Sequence, residues 1–222
     1  MTIAPVDPIS DQYFDSNNWR RGLAYMAKYA KKWPAFVSIS LRNEFRQTNL
    51  NNGAKSTYNW ATWYDNVIPA IKGVNEANPD PLIFVSGLDY DTKMGPIAQA
   101  SDLGSGKKFL LSDQPKNKIV FELHNYSNDA KDCKGLQNSM YSNGYNAMDT
   151  AKNIAPVVLT EFGFQQNRTQ TNGVYAQCHK EYLLKQPGGP GGWMQWVLAG
   201  SYYIRSGTQD YEESWGKCSS SV

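Results

Sequence analysis

The chain has 222 residues and a formal net charge of +2, with basic and acidic residues interspersed along it. This length allows one domain with a sizeable core, which we predict to cover residues 1–222. The balanced charge excludes an extended nucleic-acid surface, and no apolar run approaches the ~20 residues that would span a membrane. The opening segment has neither the basic nor the apolar region of a signal peptide.

Two helices are predicted in the first third of the chain. The first runs to about Lys32, and either Asn17 or Asn18 could cap its start. The second runs from about Tyr58 to Asn78, and Pro69 inside it is expected to kink or break it.

Between these helices lies an apolar strand, predicted at residues 36–41, that is followed at once by polar residues. Barrel enzymes carry their catalytic residues at such strand ends. Glu44 is therefore a candidate general acid/base, a role that requires a carboxyl with a raised pKa. The alternative is a glutamate paired with Arg42 or Arg46. Asn43 is a candidate for binding a sugar hydroxyl, and its alternative role is to satisfy loop backbone.

The rest of the chain alternates apolar strands with helices or long loops. Helices are predicted near residues 133–141 and 173–185, and residues 216–222 are predicted to be an unstructured tail. Counting the strand at residues 36–41, we predict five strands in all, the other four at residues 82–85, 118–123, 156–164 and 193–198. This alternation predicts a parallel sheet with β/α crossovers.

Glu161 ends the strand at residues 156–164 much as Glu44 follows its own strand. Retaining glycosidases need one carboxylic acid and one carboxylate nucleophile, so Glu161 is the candidate nucleophile. The alternative is a structural carboxylate that accepts backbone hydrogen bonds. It is the pairing of two strand-end glutamates that favours catalysis.

Three further residues are candidates for substrate binding. His124 and Tyr126 leave one strand at alternate positions, so their side chains are expected to point the same way. Trp196 is the candidate platform under the sugar, although it and Trp193 could equally be core residues. His179, the other histidine, lies within a predicted helix and is interpreted as structural.

The sequence contains an odd number of cysteines, Cys133, Cys178 and Cys218. One disulfide plus one free thiol is compatible with this count, and the pairing stays open. Their spacing fits no zinc-binding pattern. Because hydrolysis by a pair of glutamates requires no metal or other cofactor, we expect none.

Four segments together resemble glycoside hydrolase family 5, the cellulase-like retaining β-glycosidases: LRNEFR, ELHNYS, LTEFGF and WMQWVLAGSYYIRSG. The resemblance implies a TIM-type (β/α) barrel, a carbohydrate substrate and an extracellular location. It also implies the site residues: acid/base Glu44, nucleophile Glu161, and Asn43, His124, Tyr126 and Trp196 around the sugar.

In one respect the sequence departs from the family pattern. The family barrel has eight strands, and this sequence supplies only the last five. We therefore expect an incomplete barrel whose two open edges could mediate self-association. The alternatives to an active hydrolase are a catalytically inactive carbohydrate-binding barrel portion and a chain that does not fold alone.

Overall fold

The computed structural model describes residues 15–46, 58–148, 151–164, 168–184, 192–196, 201–205 and 208–212. The predicted tail at residues 216–222 lies outside these ranges. No helix within them is long and apolar enough to cross a membrane.

A five-stranded parallel sheet, with its strands in chain order, organises the described part of the chain. Each predicted strand is present, with bounds that differ by a few residues. The strands are β1 (Ser38–Ser40), β2 (Leu82–Ser86), β3 (Ile119–Asn125), β4 (Val157–Phe162) and β5 (Gly192–Gln195). Because neighbours in sequence are neighbours in the sheet, the chain winds in one direction, as it does in a barrel.

The described residues form six α-helices, of which those that begin at residues 16, 60, 133 and 174 were predicted. The six are α1 (Ser16–Ala30), α2 (Trp60–Ala77), α3 (Gly95–Ala98), α4 (Cys133–Ser142), α5 (Arg168–Thr171) and α6 (Val174–Leu184). The predicted cap of α1 was wrong, because Asp15 occupies that position. Its Oδ1 accepts hydrogen bonds from the N–H groups of Asn17 and Asn18, both at 2.9 Å, and these residues therefore lie inside the first turn.

Helix α2 is not broken at Pro69, contrary to one of the two predicted outcomes, and continues to Ala77. A proline removes one backbone hydrogen bond, and here tertiary packing compensates for that loss. The fully buried Trp63 anchors the helix, since its indole N–H donates to the carbonyl of Ser86 at 2.9 Å. Asn59 caps the helix by accepting the N–H of Thr62 at 3.0 Å.

The two faces of the sheet have different roles, because side chains alternate along each strand. The outer face packs against the helices and forms the core, with Ile83, Val85, Phe121, Leu123 and Leu159 all buried. The inner face is more polar and lines a cavity with Ser40, Glu122, His124 and Thr160. This division places the chemistry on the concave side of the sheet.

The prediction of five strands in all missed an antiparallel hairpin. Strands β6 (Ser201–Arg205) and β7 (Thr208–Glu212) pair from Ser201 with Glu212 to Arg205 with Thr208. The signal was present in the sequence, because two strand-like runs separated by two residues are typical of a hairpin. The predicted last strand was also too long: β5 ends at Gln195, and residues 197–198 lie outside the described ranges.

One disulfide joins Cys133 at the start of α4 to Cys178 in α6, with a Cα–Cα distance of 5.1 Å. This answers the question of pairing that the sequence left open. The third cysteine, Cys218, lies outside the described residues. The bridge clamps two helices that follow β3 and β4, the strands that carry most of the candidate site.

His179 lies in α6 and is buried against β4, as expected of a structural histidine. Its ring stacks parallel to that of Phe162 at 5.4 Å, and its Nδ1 lies 3.0 Å from the carbonyl oxygen of Tyr175. Burial lowers the pKa of His179 from 6.5 to about 4, because the charged imidazolium is poorly solvated there.

This shift predicts acid sensitivity of the fold. Between pH 6.5 and about 4 the unfolded chain binds a proton at His179 that the folded chain does not. Stability therefore falls as the pH falls through this window, by at most about 1.4 kcal/mol per pH unit from this residue. His179→Gln should flatten this dependence in urea unfolding at several pH values. Equal slopes for both chains would contradict the assignment.

Candidate active site

Six residues were predicted to form the site, and five of them meet at the carboxyl ends of β1, β3, β4 and β5. A cavity of about 400 Å³ opens there, on the concave side of the sheet. Glu161, His124 and Trp196 line it. Glu44 and Tyr126 reach the same group through His124 and Glu161 respectively.

The two glutamates lie on either side of His124. Its Nδ1 is 3.3 Å from Oε1 of Glu44 and 3.6 Å from Oε2 of Glu161. One donor atom from each of the three residues lies within 4.8 Å of the other two. The glutamate side chains are 24% and 20% exposed, so both carboxyls are accessible from the cleft while His124 behind them is buried.

A bulge in β4 turns Glu161 into the cavity. Leu123 pairs with Leu159, but the next residue, His124, pairs with Glu161, so that Thr160 is an extra residue. A bulge of this kind re-aims the side chains that follow it. As a result Thr160 and Glu161, although consecutive, both line the cavity.

Tyr126 donates a hydrogen bond from its hydroxyl to Oε2 of Glu161 at 2.9 Å. Partial burial raises the pKa of Tyr126, and the neighbouring Glu161 carboxylate raises it further. The tyrosine therefore stays protonated and remains a donor. A carboxylate held by such a bond keeps one orientation while its other oxygen stays available.

If Glu161 is the nucleophile predicted from the sequence, Tyr126→Phe is expected to lower kcat/KM for an aryl β-glycoside roughly 10- to 100-fold, since a hydrogen bond to a charged group is lost. Initial rates would measure the effect. Tyr25→Phe is the matched control, because Tyr25 lies exposed on α1. Equal rates for Tyr126→Phe and the control would show that this bond has no catalytic role.

The opposite edge of the His124 ring faces two buried carboxyls. Its Nε2 lies 3.9 Å from Oε1 of Glu122 and 4.0 Å from Oδ2 of Asp91. Glu122 accepts hydrogen bonds from the hydroxyls of Ser40 at 2.6 Å and Thr160 at 2.9 Å. One imidazole thus lies among four carboxyl groups.

Burial changes the protonation of these two inner carboxyls. It raises the pKa of Asp91 to about 8, against the lowering effect of hydrogen bonds from the Glu44 backbone and the Ser86 hydroxyl. Burial also raises the pKa of Glu122, although the bonds from Ser40 and Thr160 oppose that shift. Desolvation of the charged form is the dominant cause in both residues.

Asn43 is the predicted site residue that is not brought to this cavity. It is exposed and lines an adjoining cavity of about 590 Å³ beside Trp19 and the inner edge of β1. The two cavities share Ser40 and Glu122, so Asn43 lies next to the cluster and not within it.

Trp196 lies just after β5 and is about half exposed. Its backbone N–H donates to the carbonyl of Phe162 at 2.9 Å.

Arg46 contacts Glu44 in a way that the sequence did not predict. Its guanidinium donates to the backbone carbonyl of Glu44 at 2.9 Å and lies over the ring of Tyr90. It therefore holds the main chain of Glu44.

Glu122 and Asp91 were not predicted from the sequence. For Glu122 there was a signal, because a glutamate at the centre of the apolar run IVFEL is unusual in a buried strand. For Asp91 there was none, since acidic residues are common in loops.

Glu44, His124 and Glu161 are also the described residues whose donor atoms are close enough to coordinate a cation. Two carboxylates and an imidazole are ligands that many divalent metals accept. The tyrosine bond to Glu161 competes for one of those oxygens. The expectation that no metal is needed stays a prediction.

Comparison with known proteins supports a single family. The model of the family described as Cellulase (glycosyl hydrolase family 5) matches residues 6–196. A glycosyl hydrolase 5 family protein of Chamaecyparis obtusa is 32% identical over 219 residues. The alignment covers 93% of this chain and 36% of that protein, so the chain spans about a third of the length of this relative.

Two solved structures of similar shape are those of glucanases. A β-glucanase from Saccharophagus degradans superposes with a TM-score of 0.63 at 18% identity, over 84% of this chain and 52% of that one. An endo-β-1,4-glucanase from Xanthomonas axonopodis gives a TM-score of 0.57 at 18% identity, over 88% and 59%. The described sheet therefore corresponds to about half of their barrels, which confirms the predicted incomplete TIM-type barrel. Because the family model matches residues 6–196, which is most of the sequence, the chain belongs to glycosyl hydrolase family 5.

Proposed function

We propose that this chain hydrolyses O-glycosidic bonds in β-linked glycans with retention of anomeric configuration, using Glu161 as nucleophile and Glu44 as acid/base. The observation that carries the proposal is the closeness of the two glutamates. One oxygen of each lies within 4.8 Å of the other. Retaining enzymes separate their carboxyls by about 5–5.5 Å, whereas inverting enzymes need about 6.5–9.5 Å to admit a water molecule.

The reaction runs in two displacements. First, a carboxylate oxygen of Glu161 forms a bond to the anomeric carbon as the glycosidic C–O bond breaks, and Glu44 gives its proton to the departing oxygen. Then a water molecule attacks the anomeric carbon, Glu44 takes a proton from it, and the ester bond to Glu161 breaks. The same glutamate thus acts first as acid and then as base.

The surrounding residues orient this pair. Tyr126 fixes one oxygen of Glu161 by its 2.9 Å hydrogen bond, and His124 lies against both carboxyls. Trp196, half-exposed at the rim of the cavity, offers a flat ring on which a sugar could stack. Asn43 would contact the sugar from the adjoining cavity.

We take β-glucans as the first substrates to test. The Saccharophagus degradans β-glucanase has also been solved in complex with cellotetraose. Another structure of similar shape, at a TM-score of 0.57, holds cellopentaose. Both resemble this chain in fold, which makes aryl β-cellobiosides the natural probes.

The decisive experiment is to trap the glycosyl-enzyme. An activated fluorosugar, with fluorine beside the anomeric carbon, slows the second displacement more than the first. Incubation should add the mass of one fluorocellobiosyl group, and peptide mapping should place it on Glu161. The Glu161→Gln chain should stay unlabelled. Labelling at another residue, or turnover with inverted product, would overturn the mechanism.

A second candidate function is carbohydrate binding without turnover. The observation that favours it is that the chain spans about half of the solved glucanase structures it resembles. Cellotetraose would then change tryptophan fluorescence through Trp196, which lines the cavity, while no product formed and no fluorosugar became attached.

The remaining expectations are also proposals. If no metal is required, excess EDTA should leave the hydrolysis rate unchanged, and a rate restored by one added divalent cation would contradict this. The disulfide between Cys133 and Cys178 supports an extracellular location, since such bonds persist in oxidising compartments. Self-association through β1 and β5, the two edges of the five-stranded sheet, stays a prediction.

A further inference from the structure

The loop after β2 turns sharply and directs one carboxyl into the protein. Leu88 and Lys93 pair through two backbone hydrogen bonds of 2.9 and 3.1 Å. Between them, Asp89, Tyr90 and Asp91 have φ angles of 51°, 61° and 57°. This left-handed backbone is uncommon outside glycine, and three such residues in a row make a tight reversal. At its end Asp91 is 0% exposed.

The buried Asp91 binds backbone groups at the ends of two strands. Its Oδ2 accepts the N–H of Glu44 at 2.6 Å, and its Oδ1 accepts the N–H of Phe45 at 3.3 Å. Its own carbonyl accepts the N–H of His124 at 3.0 Å. One loop residue therefore connects the segment after β1 to the carboxyl end of β3.

Glu44 needs such support because its backbone is also left-handed, with a φ of 54°. A glutamate free of constraints adopts a negative φ, which would point its side chain in another direction. The Asp91 carboxyl holds the N–H of Glu44, and Arg46 holds its carbonyl at 2.9 Å. Both peptide groups of this residue are thus fixed from outside.

We propose that Asp91 is a positioning residue, whose buried carboxyl holds Glu44 in the conformation that directs the Glu44 side chain toward His124 and Glu161. This inference rests on the proposed function, in which Glu44 is the acid/base. Because Asp91 is fully buried, we do not assign it a contact with the substrate. It acts through the backbone of Glu44.

Glu122 provides a matched comparison. It is also a buried carboxyl, and it lies as close to Nε2 of His124 as Asp91 does, at 3.9 against 4.0 Å. Its hydrogen bonds run to the hydroxyls of Ser40 and Thr160, not to the backbone of Glu44. Any effect transmitted through His124 should therefore appear in variants of both residues, whereas an effect on Glu44 should appear only in variants of Asp91.

The test compares two leaving groups. A methylumbelliferyl β-cellobioside needs protonation of its departing oxygen more than a dinitrophenyl β-cellobioside does, because dinitrophenolate is the better leaving group. A misplaced general acid therefore lowers kcat/KM for the first substrate and spares the second. A general loss of structure lowers both equally.

Asp91→Ala should lower kcat/KM for the methylumbelliferyl substrate by about 100-fold, the size expected of a displaced catalytic group, with a much smaller loss for the dinitrophenyl substrate. Asp91→Asn should retain most of the activity, since its amide oxygen still accepts the N–H of Glu44. Glu122→Gln should lower kcat/KM by the same factor for both substrates, whatever the size of that factor.

Glu44→Ala separates failure of this inference from failure of the proposed function. Suppose that Glu44→Ala lowers kcat/KM more for the methylumbelliferyl substrate than for the dinitrophenyl substrate. If Asp91→Ala lowers kcat/KM equally for both, Asp91 has no positioning role. If Glu44→Ala lowers kcat/KM equally for both substrates, Glu44 is not the acid/base and the proposed function fails. A wild-type chain that hydrolyses neither substrate also contradicts the proposed function.

Amide hydrogen exchange in the wild-type chain tests the geometry without any activity and without a variant that must fold. The Glu44 N–H should exchange slowly and resonate downfield, as expected of a short hydrogen bond to a carboxyl. The N–H of the exposed Asn43 is the internal comparison and should exchange faster. In Asp91→Asn the Glu44 N–H should stay protected. Exchange of Glu44 as fast as that of Asn43 would overturn the inference by itself.

Discussion

Replacing Glu161 by glutamine is expected to lower kcat/KM for an aryl β-cellobioside roughly 10⁴-fold, a loss of the size seen when a nucleophile is removed from an enzyme. Glutamine keeps the shape of the side chain and can still accept the hydrogen bond from Tyr126. It cannot form the ester with the anomeric carbon. The loss should therefore fall on the first displacement, and the affinity for cellotetraose should change little.

The matched control is Glu76→Gln. Glu76 lies on the exposed side of α2 and forms a surface ion pair with Lys72, at 3.8 Å. The same charge is removed there, but far from the cleft, so the rate should not change. Thermal unfolding of both variants should match that of the wild-type chain. Full activity in a folded Glu161→Gln chain would refute the nucleophile assignment.

The second large effect is on stability. Converting Cys133 and Cys178 together to serine should lower the free energy of unfolding by about 4 kcal/mol, on the chain-entropy model of cross-links. The disulfide closes a loop with a sequence separation of 45 residues, and opening it enlarges the unfolded ensemble. Urea denaturation of the oxidised chain and the double variant would measure the difference.

The control is Cys218→Ser, which removes a thiol and leaves this disulfide in place. Reduction of the wild-type chain with dithiothreitol should reproduce the effect of the double variant. An unfolding free energy that is the same with and without the bridge would show that packing of α4 and α6 holds this region unaided. Since the bridge clamps helices beside β3 and β4, its loss should also raise hydrogen exchange near Tyr126 and Glu161.

Much of the candidate site was predictable because barrel chemistry lies at strand ends. Glu44, His124, Tyr126 and Glu161 each follow or end an apolar run, and parallel strands bring such ends to one edge of the sheet. Asn43 was predicted to share the cavity with Glu161 but lines the adjoining cavity. Adjacent residues of an irregular segment need not point into the same cavity.

The fold was also largely predictable, since apolar runs and helical periodicity are local properties of a sequence. The predicted cap of α1 was wrong, and one of the two outcomes predicted at Pro69 did not occur, because local rules compete there with other contacts. Pro69 did not end α2, because the buried face around Trp63 holds the helix together. Asp15, and not Asn17 or Asn18, caps α1, because a carboxylate one turn earlier can satisfy two N–H groups at once.

What the sequence determined by itself is the order of the five parallel strands, the family and most of the residues that meet at the cleft. The tertiary structure decided how those residues are aimed. The bulge at Thr160 turns Glu161 inward, and the left-handed backbone of Glu44 is held by Asp91 from a loop 47 residues away. Both depend on hydrogen bonds between segments distant in the chain. No local pattern of residues encodes such bonds, since they form only when the strands that carry them are side by side.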